Sequence, residues 1–167
     1  MKRMVLLVLG VAALSAGTFA QAPADAIDKA LAPAPANMKE GATIIKWKAD
    51  NTYDTLRKGT NRLVCYDRSG ELGQPAFAVQ CTSVANLPRE AQNLKAESTG
   101  DRAKSEAMLK EMEQNGTRAK PEFGSVWYHM SGADRDHLSA HEVTVALPGA
   151  PKASAGQPVQ RGERGIR

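Results

Sequence analysis

Two cysteines, Cys65 and Cys81, are the only ones in the chain, and they stand at mirrored positions about RSGELGQP, a loop-forming stretch centred near Gly73. The segments carrying them read as strands: NRLVCYD precedes the loop, and AFAVQCTS follows it with Phe77, Val79 and Cys81 on one face by alternation. A hairpin through this loop brings the two sulfurs within bonding reach. Closing the 15 intervening residues stabilises a fold by roughly 3 kcal/mol in the chain-entropy model. No CxxC spacing is present to depress a thiol pKa, so the pair reads as structural rather than redox-active.

A disulfide needs an oxidising compartment, and the N-terminus points to one. In MKRMVLLVLGVAALSAGTFAQA, Lys2 and Arg3 precede an uncharged apolar run from Met4 to Gly17, and small residues follow in the pattern of a signal-peptidase site. The run falls short of the about 20 apolar residues that a spanning helix needs. Residues 1–20 therefore read as a signal peptide cleaved after Ala20, and the expectation is a periplasmic or secreted protein with no membrane insertion after cleavage. Residues 21–38, rich in Ala-Pro steps, read as an extended tether. Residues 151–167 lose hydrophobic periodicity and gain Gly, Pro and Arg, and read as a disordered basic tail.

These boundaries change the meaning of the net charge of +4. Two bases lie in residues 1–20, and four bases with Glu163 lie in residues 151–167, which leaves 16 bases against 17 acids between them. The folded part is not basic, so no nucleic-acid partner is expected.

Residues 39–150 suffice for one domain with one core. ATIIKWKA sets Thr43, Ile45, Trp47 and Ala49 on one face with Lys46 and Lys48 opposite, the pattern of a half-buried strand, and Gly59 marks a turn or bulge between two further strand-like pieces. Asn86 can cap a helix entered through Leu87-Pro88, and a second helix runs from about Asp101 to Asn115 and stops at Gly116. Ser105, Met108, Leu109 and Met112 form its less polar stripe, with the methionines read as core filling rather than copper ligands. The segments GSVWYHM and HEVTVALP return to strand periodicity. The expected fold is α+β: a single small domain, an antiparallel sheet with two inserted helices and one disulfide-braced hairpin.

The order ATIIKW, then LRKGTNRLVCYDRSG, then a second Cys leading into a helix, and finally HEVTVALP resembles a family of small secreted bacterial proteins of unknown function. The resemblance covers residues 38 to about 150. It implies export and the disulfide, and it supplies no catalytic residues.

All three histidines fall in HMSGADRDHLSAHE. If residues 126–130 and 141–147 pair, His129 and His141 can face each other with His137 in the loop above, and three imidazoles suit zinc or copper with a position left open. A helical turn there would instead put His137 and His141 on one face, without the HExxH arrangement. Against both stands a polar loop that carries solvated histidines. Nucleophilic sets from Ser125, Ser131 or Ser139 with Asp134 and His141 lack a strand-elbow context. The functional expectation is an exported non-enzymatic binding or structural module acting without a cofactor. The alternative is a metal-binding protein or metal-dependent enzyme using His129, His137 and His141.

Overall fold

The computed structural model describes residues 24–149. The signal peptide and the basic tail expected from the sequence lie outside the described residues. Within them, three helices and six strands follow in the order α1 (Ala24–Ala30), β1 (Thr43–Trp47), β2 (Tyr53–Arg57), β3 (Leu63–Asp67), β4 (Phe77–Ser83), α2 (Leu87–Glu97), α3 (Arg102–Gln114), β5 (Val126–Gly132) and β6 (Leu138–Val145). The strands form one sheet in the order β2-β1-β3-β4-β5-β6. Four of the pairings are antiparallel and β1 with β3 is parallel. The class is α+β, with α2 and α3 as the two helices inserted between strands; the sheet is mixed rather than wholly antiparallel, and α1, ahead of β1, is a third helix.

The parallel pair arises because β2 folds back on the outer side of β1, so that the chain reaches β3 on the inner side. Gly59 serves that return: a Cβ there would lie 2.2 Å from the Gly41 carbonyl oxygen and 2.5 Å from the Ala42 carbonyl carbon. Only glycine lets the two backbones approach so closely, and the amides of Thr60 and Asn61 both donate to Gly41 O, at 2.8 and 2.9 Å.

The disulfide is formed as the mirrored spacing predicts, with Cys65 and Cys81 directly opposite one another across β3 and β4 and bonded. Both are fully buried. What covers them is α1, which is not an extended tether. Ile27 and Ala30 of α1, with Leu31 and Ala34 from the turn that follows it, pack with Ile44, Leu63, Cys65 and Cys81 in one core cluster. The prolines do not prevent this because Pro33 and Pro35 follow the helix instead of interrupting it. Small alanines let the helix sit close, and Lys29 anchors it to Asp67 at 2.8 Å.

Helix α2 covers the other face, where Ile45, Val64, Tyr66 and Leu87 form a second cluster with Trp47 packed against it. With both faces covered, Ile44 and Ile45 are both buried, so β1 is not the half-buried strand its alternation suggests. Helix α3 matches its expected limits. The Asp101 side chain accepts from the Lys104 amide at 3.1 Å, and Gly116 takes the left-handed φ of 73° that follows a helix end. It packs outside α2, however, so Met108, Leu109 and Met112 are only half-buried and do not fill the core.

Candidate functional site

The register of β5 and β6 separates the histidines. His129 stands opposite Glu142 and Met130 opposite His141, so His129 shares a sheet face with Glu142 while His141 points to the other. His137 lies in the connecting loop, its Nδ1 2.8 Å from Asp134 Oδ1 in an exposed pair that holds the Asp134 carboxyl below its usual value. That pair also takes Asp134 away from any set with His141. The face-to-face arrangement of His129 and His141 therefore does not occur, and strand β6 replaces the alternative helical turn. Among the described residues, no group of three or more His, Cys, Asp or Glu side chains is placed to hold a metal ion.

A different set of side chains does converge, on the face covered by α2. Direct cross-strand pairing lines up Tyr66, Gln80, His129 and Glu142, one residue from each of β3, β4, β5 and β6. The row grades from a fully buried end to an open one. Tyr66 has no exposed surface, Gln80 is buried, His129 is half-buried and Glu142 is exposed. Gln80 Nε2 donates to the Tyr66 hydroxyl at 2.9 Å. Burial, and then the nearby Glu90 carboxylate, push the Tyr66 pKa well up, which keeps its proton on. Burial pulls the His129 pKa down, opposed by Glu142, so this imidazole favours the neutral form.

Glu90 is the residue on which the surroundings turn. It lies on α2 at the buried stripe set by Leu87 and Leu94, and it is 2% exposed. A carboxylate taken out of water is costly unless its lone pairs are used. Here Glu90 Oε1 accepts from the Trp127 indole Nε1 at 2.7 Å and from Asn93 Nδ2 at 3.3 Å. Asn93 Oδ1 in turn accepts from Arg118, whose guanidinium also donates to the Arg89 carbonyl and to Gln92 Oε1, each at 3.1 Å. The loop after α3 is thereby stitched to α2, and Arg89 Nη1 completes the stitching by donating to the Ala119 carbonyl at 2.8 Å. Burial, and then the charge of Arg89, lower the Arg118 pKa from its ordinary value.

Between this helix-and-loop wall and the open end of β5–β6 lies a groove of about 450 Å³, floored by Gln80, Trp127, His129, Glu142 and Thr144. Its end toward β3 is closed by Arg68 and Glu97, which also line a neighbouring hollow of about 260 Å³ beneath Trp47 and Leu94. Burial opposes the Arg68 charge, but ion pairs to Glu97 and to Glu71, the latter at 2.8 Å, more than offset it and raise its pKa above the usual value.

Sequence reasoning misses Glu90, Asn93 and Arg118 because each reads as an ordinary polar residue in a helix or loop. The one signal on offer is the spacing Leu87, Glu90, Leu94, which puts a carboxylate into an apolar stripe. Comparison with protein-family models, with curated proteins and with solved structures finds no match.

Proposed function

We propose that this chain is an exported, non-enzymatic binding module and that its ligand lies in the groove between α2 and strands β4–β6. The observation that carries the reading is the wall built on Glu90. A buried carboxylate holding an indole, an amide and through it a guanidinium gains little net stability, since buried polar networks roughly repay their own desolvation. What it does provide is a set of polar side chains fixed in place beside an open groove. Such preorganisation lowers the entropy lost when a ligand binds. The groups of the wall are engaged with one another, which suits holding a ligand rather than moving protons.

Export is supported by the leader-like residues 1–20, by the bonded cysteine pair, and by the resemblance of LRKGTNRLVCYDRSG to small secreted bacterial proteins. No helix among the described residues is long and apolar enough to cross a membrane.

Native mass spectrometry of the protein taken from its own export compartment tests both parts. The expected result is a polypeptide beginning at Gln21 with a non-covalent adduct that Thr144→Trp, which fills the groove, removes. Retention of residues 1–20 would refute export. An adduct unaffected by the substitution, or none on either protein, would refute the groove.

A further inference from the structure

We infer that the groove takes an uncharged, polyhydroxylated ligand, namely a stretch of glycan chain laid across strands β4, β5 and β6. This rests on the binding-module reading and narrows it.

The charges of the groove favour a neutral occupant. The groove presents Arg68, Arg89 and Arg118, yet each is already engaged: Arg68 by Glu71 and Glu97, Arg89 by Glu113 at 3.1 Å, and Arg118 by Asn93, Gln92 and a backbone carbonyl. Glu90 is spent on Trp127 and Asn93. A polyanion entering here would have to break existing pairs to find a cation. A polycation would meet a single exposed carboxylate without an ion-pair partner among the described residues, Glu142. Neither gains much, whereas a ligand without net charge leaves every pair intact.

The groove also keeps hydrogen-bonding capacity that no protein group among the described residues uses. The Glu142 carboxylate, the Thr144 hydroxyl and the His129 ring nitrogens have no side-chain hydrogen-bond partner among the described residues. Together they offer acceptors, a donor and a group that can serve as either. Hydroxyls of a sugar, each both donor and acceptor, fit such a mixture better than ligands that only accept or only donate. Beside them lies Trp127, half-buried, its plane fixed by the bond from its indole nitrogen to Glu90. A flat apolar ring next to a line of hydroxyl-binding groups matches a sugar ring, which carries C–H bonds on its faces and hydroxyls around its edge.

The spacing of the floor suits a repeating chain. Gln80, His129 and Glu142 are direct cross-strand neighbours, so they recur at the inter-strand distance of about 4.8 Å. That is close to the advance of one pyranose unit along a linear chain. A glycan running perpendicular to the strands would set successive sugars over successive strands, and the groove is open on the β6 side for the chain to continue.

The test is a titration of the full exported protein, followed by the Trp127 indole N–H and the His129 amide signals in nitrogen-15 spectra. Four probes are used: a hexamer of β-1,4-linked N-acetylglucosamine, a hexamer of α-1,4-linked glucose, hexaglutamate, and an uncharged hexapeptide of Ser and Gly. The inference expects at least one of the two sugars to move both signals saturably. It expects Glu142→Ala, at an exposed position that should not disturb folding, to weaken that binding about tenfold, the equivalent of about 1.4 kcal/mol. Thr144→Trp should abolish it. If either peptide moves the signals and neither sugar does, the glycan assignment is overturned while the groove remains the binding site. If no probe moves them while the native protein carries a groove-dependent adduct, the glycan assignment fails alone. If no probe moves them and that adduct is missing, both fail.

Discussion

Replacing Asn86 with Ala is expected to cost more stability than any single surface change. Asn86 is fully buried at the junction of β4 and α2, and it does not cap the helix as its position in the sequence suggests. Its Nδ2 donates to Thr82 Oγ1 at 2.9 Å and to Ser125 Oγ at 3.0 Å, and its Oδ1 accepts from the Glu122 amide at 2.8 Å. One side chain thus joins the end of β4, the start of α2 and the approach to β5. Each bond contributes about 1 kcal/mol net, and the Glu122 N–H left without its acceptor adds a penalty of about 1–3 kcal/mol. The two hydroxyls can turn toward other acceptors, which recovers part of this. The expected loss is about 3 kcal/mol, or about 10 °C in Tm for a domain of this size, measured by urea and thermal unfolding. Asn86→Asp keeps the acceptor for Glu122 but loses both donors and buries a charge. Its deficit relative to wild type should narrow toward about pH 4 as the new carboxyl takes up a proton. A loss below about 1 kcal/mol for the alanine variant would refute the claim that this junction depends on a dry, fully satisfied amide.

Three further outcomes are expected. Replacing Cys65 and Cys81 together with Ala should lower stability by about 2–5 kcal/mol, and free-thiol labelling of the unreduced, unfolded wild type should find no reactive cysteine. Because burial holds the folded His129 pKa below its ordinary value, the unfolded imidazole takes up its proton first on acidification. The stability this group contributes is therefore present above about pH 6.5 and is lost as the pH falls through the folded pKa. Urea unfolding at about pH 7 and about pH 5 should show that slope reduced in His129→Gln, and an unchanged slope would contradict the burial argument. His137→Ala should change stability by no more than about 0.5 kcal/mol, as for an exposed loop position, and equilibrium dialysis should find no tight zinc or copper in either protein.

The parts of the fold that were legible in the sequence were those fixed by local signals. The mirrored cysteines flanking a Gly-rich loop specified the β3–β4 hairpin, and Asp101 with Gly116 bounded α3. The histidine segment was misleading for a reason of register. Alternation places His129 on one face correctly, but which residue of β6 stands opposite it is set by turn geometry, and one step decides whether His141 or Glu142 becomes the neighbour. Helix α1 was hidden by composition: it is only seven residues long, and two of the four apolar contacts made by it and the turn after it are alanines amid prolines, which carry a weak periodic signal. The parallel β1–β3 pair was hidden because alternation fixes faces and not strand order. The groove was least legible. Its residues come from α2, the loop after α3 and three strands, and nothing local to Glu90 records that Trp127, 37 positions away in sequence, will donate to it.

The binding-module reading puts the ligand on the face beneath α2, between β4 and β6. The most direct measurement compares nitrogen-15 spectra of the protein isolated from its own export compartment with those of the same protein unfolded, washed and refolded with its disulfide intact. Differences should cluster at the Trp127 indole, Asn93, His129 and Glu142. Identical spectra, or differences confined to the Asp134–His137 loop or to the face covered by α1, would contradict it.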